Sequence, residues 1–336
     1  MRYLVPILIV LAAGLSFWLA LRWRGAALPR LGLGVLGLAI LAGGYWQLRP
    51  DPLPPQDDGA DVRALYGQSR LLPDRPLRVY QLGHSLVGRD MPAMLAQLAG
   101  HDYALELGWG ASLRDHFQGP QAIAGFAQEN DTPFYRDAHE ALASGQYDAF
   151  VMTEMVRLSD ALRYMESTDY AGKWAAEAVR GTPQIQLFLY ESWHGLDDQP
   201  DWLARIPGDL DRMWSQLLWS AARAADRPVW LIPVGQVMAA VVTEAEAKGI
   251  AELTGREQLF ARQPDGQLDP IHPGDLGNYL SALVHYAVLY GKSPVGLPAE
   301  LLRADGSAAV APSPALARRL QEITWQVVSS QPLTGL

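Results

Sequence analysis

The chain has no cysteine. That absence excludes structural disulfides, thiolate metal sites, a cysteine nucleophile and a lipid anchor on cysteine, and it leaves the redox compartment open. Acidic residues are missing from the first fifty positions, which hold five arginines, Arg2, Arg22, Arg24, Arg30 and Arg49. Of the 27 basic side chains, 22 therefore remain in residues 51–336 against all 36 acidic ones, a net −14 for that part and −9 for the whole chain. An acidic surface of this kind repels phosphate backbones, so no nucleic-acid partner is expected. No internal repeat is evident. At 336 residues and 49% hydrophobic, the chain has the length for one large α/β domain or two small ones and the composition of a folded protein.

Two long apolar runs do occur, and both are near the start. Residues 3–20 carry no charge, and a Gly-rich run follows from 31 to 47. The first has the length of a bilayer-spanning helix, and the second is near the lower limit of about 17 residues. Between them lies Arg22-Trp23-Arg24-Gly25-Ala26-Ala27-Leu28-Pro29-Arg30, which the positive-inside rule puts in the cytoplasm. Trp18, Trp23, Tyr45 and Trp46 sit near the ends of the runs, as interfacial aromatics do. The expectation is a two-helix membrane anchor over residues 1–49, in the bilayer through residues 3–47, carrying an extracytoplasmic (periplasmic) domain at a bacterial-type plasma membrane. The alternative for the first run is a cleaved signal peptide; its charged start is only Arg2, and no small-x-small site precedes Arg22. Residues 50–74, with Pro50, Pro52, Pro54 and Pro55, read as a stiff linker.

From residue 75 to 336 short β-rich runs alternate with helical patterns, the mark of a parallel sheet covered on both faces. Strands are predicted at 77–82, 103–107, 149–153, 185–190 and 229–233, all of the apolar kind that central strands show. Helices are predicted at 91–99, 133–144, 161–180, 209–225, 236–248, 274–290 and 313–328. In such sheets, sites form at the carboxyl ends of the strands. The residues there are Gly83-His84-Ser85, Gly108-Trp109-Gly110-Ala111-Ser112, Thr153-Glu154 and Glu191-Ser192-Trp193-His194, with an Asp269-Pro270-Ile271-His272 loop after the fifth strand.

An Asp and a His three positions apart can present a base together with its orienting carboxylate, and a Ser on a tight turn after a strand can be the nucleophile. Strand, Gly83-His84-Ser85-Leu86 and helix at one end, with Asp269-x-x-His272 before the last large helix of the sheet at the other, resembles the SGNH hydrolases, the GDSL-like lipases and esterases. The resemblance covers residues 75–297 and implies a three-layer α/β/α flavodoxin-like domain of about five parallel strands. It implies Ser85 as nucleophile, His272 as general base and then acid, and Asp269 as the group orienting His272. The N–H groups of Ser85 and Gly110 would face the developing oxyanion, with Gly108 the alternative to Gly110. His84 stands where the family commonly has Asp or Asn. The family's third block, Gly-x-Asn-Asp, is replaced by Val151-Met152-Thr153-Glu154-Met155, and the Asn donor is missing. Thr153 is the remaining hydroxyl donor at that place, since an ionised Glu154 only accepts. Trp193 and His194 are the other candidates. The same pair of departures, His in the first block and Glu in the third, is similar to a subset of the superfamily.

Each of these residues also has a plainer reading. His84 shapes the site or is a turn residue bonded to a neighbouring loop. Glu154 orients His84 or a substrate hydroxyl, or pairs with an Arg such as Arg157. Trp109 and Trp193 stack on a sugar or pack in the core, while Glu191, His116 and His194 line the cleft or support it. His101, His139 and His285 read as surface or packing residues. A metal held by His84, Glu154, Asp269 and His272 is a rival reading, but no usual ligand spacing such as His-Glu-x-x-His is present. A non-catalytic carbohydrate-binding or assembly protein on the same fold is another. The expected function is an extracytoplasmic serine esterase that removes a small acyl group, most plainly acetate, from a carbohydrate or other small-molecule ester. An acyltransferase would use the same triad. No cofactor or metal is implied.

Overall fold

Strands form where the short apolar runs meet turn residues: β1 Arg78–His84, β2 Asp102–Gly108, β3 Ala149–Met152, β4 Gln186–Glu191 and β5 Val229–Pro233. All pair in parallel in the order β2-β1-β3-β4-β5, the flavodoxin-like order. The computed structural model describes residues 4–22, 35, 36, 38, 40, 50–67, 70–198 and 201–336. It divides the chain into two units, Met1–Leu53 and Pro54–Leu336.

In the first unit the first apolar run is helical over Leu4–Arg22 (α1). Among the described residues no helix is long and apolar enough to cross a membrane. The second expected span, 31–47, lies outside the described residues apart from 35, 36, 38 and 40.

In the second unit the helices are α2 Asp90–Ala99, α3 Leu113–Gln118, α4 Phe126–Glu129, α5 Ala138–Ala143, α6 Leu158–Tyr164, α7 Ser167–Gly181, α8 Trp202–Asp209, α9 Ser215–Ala225, α10 Val234–Lys248, α11 Asp275–Tyr290 and α12 Pro314–Ser330. They cover both faces of the sheet. Side chains alternate along each strand, so Val79, Val151, Phe188 and Tyr190 join one core with α2, α10, α11 and α12. On the other face Tyr80 packs against Phe150, and Phe150 against the fully buried Trp174 of α7.

Several expected boundaries change. The helix expected at 161–180 is two, because Glu166 takes a left-handed φ of 53° that a continuous helix cannot contain. The one expected at 209–225 begins earlier, at Trp202, and runs into α9 through a π-helical turn, Leu210–Trp214. Only Ala138–Ala143 of the stretch 133–144 is helical. The Asp269–His272 segment is no loop: it belongs to β7, Leu268–Pro273, paired antiparallel with β6, Phe260–Arg262.

The expected linker is also not a free spacer over its whole length. Tyr66 donates its hydroxyl to the Val229 carbonyl at 3.0 Å and lies between the Trp219 and Trp230 rings, and Arg223 pairs with Asp57 and Asp61. Gln56 donates its side-chain amide to the Asp211 carbonyl at 3.0 Å.

Candidate active site

The chain runs outward from β1 to β2 and then returns to β3 on the other side of β1. In doubly wound sheets, ligands sit beyond the carboxyl ends of the strands at such a switch point. Ser85 follows the last residue of β1. Its turn is closed by the His84 carbonyl, which accepts the N–H of Val87 at 2.9 Å and of Gly88 at 3.3 Å. Helix α2 starts only at Asp90, so the turn, not a helix N-terminus as expected, presents Ser85. Gly83 is needed beneath it, because a Cβ there would lie 2.5 Å from Thr153 Cγ2 and 2.9 Å from Val87 Cγ2.

His272 Nε2 is 3.0 Å from Ser85 Oγ, and His272 Nδ1 is 2.9 Å from Asp269 Oδ2. A carboxylate only accepts, so Nδ1 carries the proton and Nε2 is left to accept from the serine hydroxyl. Asp269 Oδ1 accepts the N–H of Ile271 at 3.0 Å and of His272 at 2.9 Å, and Oδ2 also accepts from Gln263 Nε2 at 2.9 Å. Burial pushes the Asp269 carboxyl up, but the N–H groups of His272 and Ile271 and the His272 ring outweigh it and hold the group below the usual carboxylate range. Asp269 is mostly covered, while the His272 side chain keeps 43% of its surface open to solvent.

β7 is held in place from the β4 side. Trp193 is buried and donates its indole N–H to the Ile271 carbonyl at 2.9 Å, and Leu196 N–H donates to the Pro270 carbonyl at 2.8 Å. Trp193 is thus a support for the His272 strand, packed edge-on against Phe260, and not a sugar platform.

Gly110 occupies the turn after β2. His84 pairs in register with Gly108, so the turns that follow β1 and β2 flank one corner of the sheet. Gly110 has a left-handed φ of 57°, and its N–H has no hydrogen-bond partner among the described residues. Gly108 is buried against Ile123, where a Cβ would come within 2.0 Å. Trp109, half exposed on the same turn, lies over Gly125 and donates its indole N–H to Glu129 at 2.8 Å.

The Thr153 hydroxyl has one proton and gives it to the Tyr190 carbonyl at 2.8 Å; its N–H goes to Leu82 at 3.1 Å. It is therefore not free to serve as the third oxyanion donor expected from the sequence. His84 is fully buried, donates from Nε2 to the Glu154 main-chain carbonyl at 2.9 Å and accepts at Nδ1 from Leu86 N–H at 3.3 Å. Burial lowers its pKa to about 4, so it is a neutral turn residue.

The Glu154 carboxyl does not pair with Arg157. Its Oε1 accepts the N–H of Leu113 at 3.2 Å and of Met155 at 2.7 Å, and burial raises its pKa to about 7. Glu191, raised to about 8 by burial, likewise accepts at the start of α10, from Gln236 N–H and its side-chain amide. His194 is buried with its pKa lowered to about 4 by desolvation, and its carbonyl accepts from Trp202.

Sequence reasoning did not single out Gln263, and it left His116 undecided. His116 is buried, spanning Glu106 Oε1 and the Gly83 carbonyl at 2.8 Å each, directly beneath the serine turn. Among the described residues no three His, Asp or Glu side chains gather as a metal site. A cavity of about 700 Å³, lined by Arg78, Asp102 and Tyr103, lies at the opposite, amino end of the sheet, and none of the candidate site residues lines it.

No protein-family model matches the chain, and no curated protein does. Among solved structures, it is similar to a protein described as a GDSL-like lipase from Parabacteroides merdae ATCC 43184, at 14% identity and a TM-score of 0.39, over 67% of this chain and 99% of that one. It is also similar to a carbohydrate esterase family 2 enzyme with its carbohydrate-binding domain from Corynascus thermopiles (Myceliophthora fergusii), at 13% identity and a TM-score of 0.33, over 67% and 69%.

Proposed function

We propose that this chain is a serine esterase of the SGNH type, with Ser85 as nucleophile, His272 as base and then acid, and Asp269 as the orienting carboxylate. The observation that carries the reading is the unbroken relay from Asp269 Oδ2 to His272 Nδ1 at 2.9 Å and from His272 Nε2 to Ser85 Oγ at 3.0 Å. A serine hydroxyl is a weak nucleophile until an imidazole takes its proton. Ser85 Oγ attacks the acyl carbonyl as its proton passes to His272 Nε2, and Asp269 stabilises the imidazolium. The tetrahedral oxyanion faces the main-chain N–H groups of Ser85 and Gly110. The alcohol leaves with the proton from His272, and water repeats the sequence to release the acid. Thr153 is engaged with the Tyr190 carbonyl and does not supply the side-chain donor expected at its place, and one such donor is worth roughly 2.7–4 kcal/mol of transition-state stabilisation. Slow turnover and a preference for activated esters follow.

The acyl group in this reading is small, acetyl in the simplest case, which the solvent-open position of His272 supports. Trp109, half exposed on the turn beside Ser85, gives a sugar ring a face to stack on, which supports a carbohydrate ester. A site this open also admits a sugar hydroxyl in place of water, which supports acyl transfer as the second reading. We further propose that residues 3–47 anchor the chain in the plasma membrane with the esterase domain outside, supported by the two apolar runs and the arginine-rich segment between them.

The test is labelling of the full-length protein in detergent with a fluorophosphonate, together with hydrolysis of 4-nitrophenyl acetate. Both are expected in the native chain and lost in Ser85→Ala. A native chain that does neither leaves the binding-protein reading in its place. Activity retained in Ser85→Ala but abolished by a chelator would favour a metal hydrolase. Reporter fusions after Pro50 test topology, and a cytoplasmic signal overturns the orientation.

A further inference from the structure

Glu154 stands where the sequence lacks the expected donor, yet it is fully buried and joins two parts of the site. Its main-chain carbonyl accepts His84 Nε2–H at 2.9 Å, and the same imidazole accepts Leu86 N–H at 3.3 Å, so one ring clasps the residues on either side of Ser85. Its carboxyl Oε1 accepts the N–H of Leu113 at 3.2 Å, the first residue of α3, three positions beyond Gly110. The same oxygen takes Met155 N–H at 2.7 Å, which fixes the carboxyl to its own backbone. His116 makes a second tie, from α3 to the Gly83 carbonyl at 2.8 Å. Those two links connect the α3 segment to the turn that carries the nucleophile.

We propose that Glu154 is a positioning residue that sets the distance between the Ser85 turn and the Gly110 turn, and so the geometry of the oxyanion hole, through its reach and not through its charge. The inference rests on the serine-esterase reading. In place of a side chain that donates to the substrate, this chain has one that fixes the turn whose N–H would do so. A misplacement of about 1 Å in such a constellation can cost about 100-fold in rate.

The experiment compares Glu154→Gln, Glu154→Asp and Glu154→Ala in the full chain. Steady-state hydrolysis of 4-nitrophenyl acetate is measured per site titrated with fluorophosphonate, alongside thermal midpoints. Gln keeps an Oε1 acceptor at the same reach without the charge, whereas Asp keeps the charge and is shorter by one methylene. The expected result is that kcat falls about 10- to 100-fold in Asp and Ala with KM within about threefold, and that Gln restores it to within about threefold of the native value.

Asp equal to native with Gln impaired would assign the effect to charge and overturn the proposal. So would an unchanged kcat per titrated site in all three, which marks a purely structural residue. If Ala does not fold, the Gln and Asp variants decide between reach and charge alone. Failure of the underlying reading looks different: the native chain then shows no Ser85-dependent hydrolysis at all, and both ideas fall together.

Discussion

His272 Nε2 lies 3.0 Å from Ser85 Oγ across 187 positions of sequence. The contact depends on two separately built supports: the turn after β1, clasped by His84, and β7, hung from Trp193 and Leu196. Neither support is itself chemically reactive. Asp269→Asn keeps the shape of the second one but exchanges a carboxylate oxygen for an amide that is no equivalent acceptor for His272 Nδ1–H. If the proposed relay operates, kcat for 4-nitrophenyl acetate is expected to fall by about 10³- to 10⁴-fold, as in Ser-His-Asp triads, with the thermal midpoint little moved. Equal activity in Asp269→Asn and the native chain would remove Asp269 from the relay.

Trp193→Phe tests the hanger. The ring contact with Phe260 survives, but the indole N–H to the Ile271 carbonyl is gone. Loss of one hydrogen bond with a half-buried acceptor is worth about 1 kcal/mol. The expected outcome is a fall of a few degrees in thermal midpoint and a drop in kcat of about tenfold, as β7 gains room to move His272. A stability loss with kcat unchanged would make Trp193 a core residue and nothing more.

Stability should depend on pH with a maximum near 6.5. Burial lowers His84, His101, His194 and His285 to about 4 from 6.5. Between those values the unfolded chain binds more protons, so their contribution is present above 6.5 and is lost as pH falls towards 4. Burial raises Glu154 to about 7 and Glu191 to about 8 from 4.5. Their contribution is present below 4.5 and is lost as pH rises through 7 and 8. Four histidines outweigh two carboxyls on the acid side; above 6.5 the carboxyls act together with His139, which against burial its bond to Glu177 holds above 6.5, and all three lose their contribution as pH rises. A thermal melt at half-unit steps from pH 4.5 to 8.5 checks this, and Glu191→Gln should flatten the alkaline fall. A midpoint that keeps rising to pH 8.5 contradicts the assignment.

Much of this site was legible in the sequence because parallel sheets leave their chemistry at one edge. Five apolar runs located five strands, and the residues after the first two held Ser85 and Gly110, while the Asp269–His272 pair was read as a loop and lies in β7. What escaped was hydrogen bonding between segments far apart in sequence. That Thr153 would spend its only proton on Tyr190 depends on β3 lying beside β4, a pairing that no local pattern states. The β6–β7 hairpin did have a local signal in Asp265-Gly266, with Gly266 at φ 85° and Gln263 N–H closing on the Gln267 carbonyl at 2.8 Å. Reading that turn would have brought Gln263 near Asp269, whose Oδ2 accepts from its side-chain amide at 2.9 Å. Glu166 at positive φ left no such mark, because any residue but glycine there reads as helix continuation.

Gly83 offers a test of packing under Ser85 that does not touch the groups of the proposed relay. A methyl at this position would approach Thr153 Cγ2 to 2.5 Å and Val87 Cγ2 to 2.9 Å. Gly83→Ala must therefore push β1 from β3 or twist the serine turn, and overpacking of this kind costs about 1–3 kcal/mol. Thr153→Ser deletes the nearer methyl while keeping a hydroxyl for the Tyr190 carbonyl, so alone it should cost about 1 kcal/mol or less. Combined, the two changes should be less destabilising than their sum, by about 0.5–3 kcal/mol of coupling, since the inserted carbon occupies the vacated space. Val87 keeps the rescue incomplete. Chemical denaturation of the four proteins of the cycle measures the coupling. Strict additivity would mean that the strain of Gly83→Ala is relieved elsewhere, and that the Gly83–Thr153 contact does not hold the serine turn against β3.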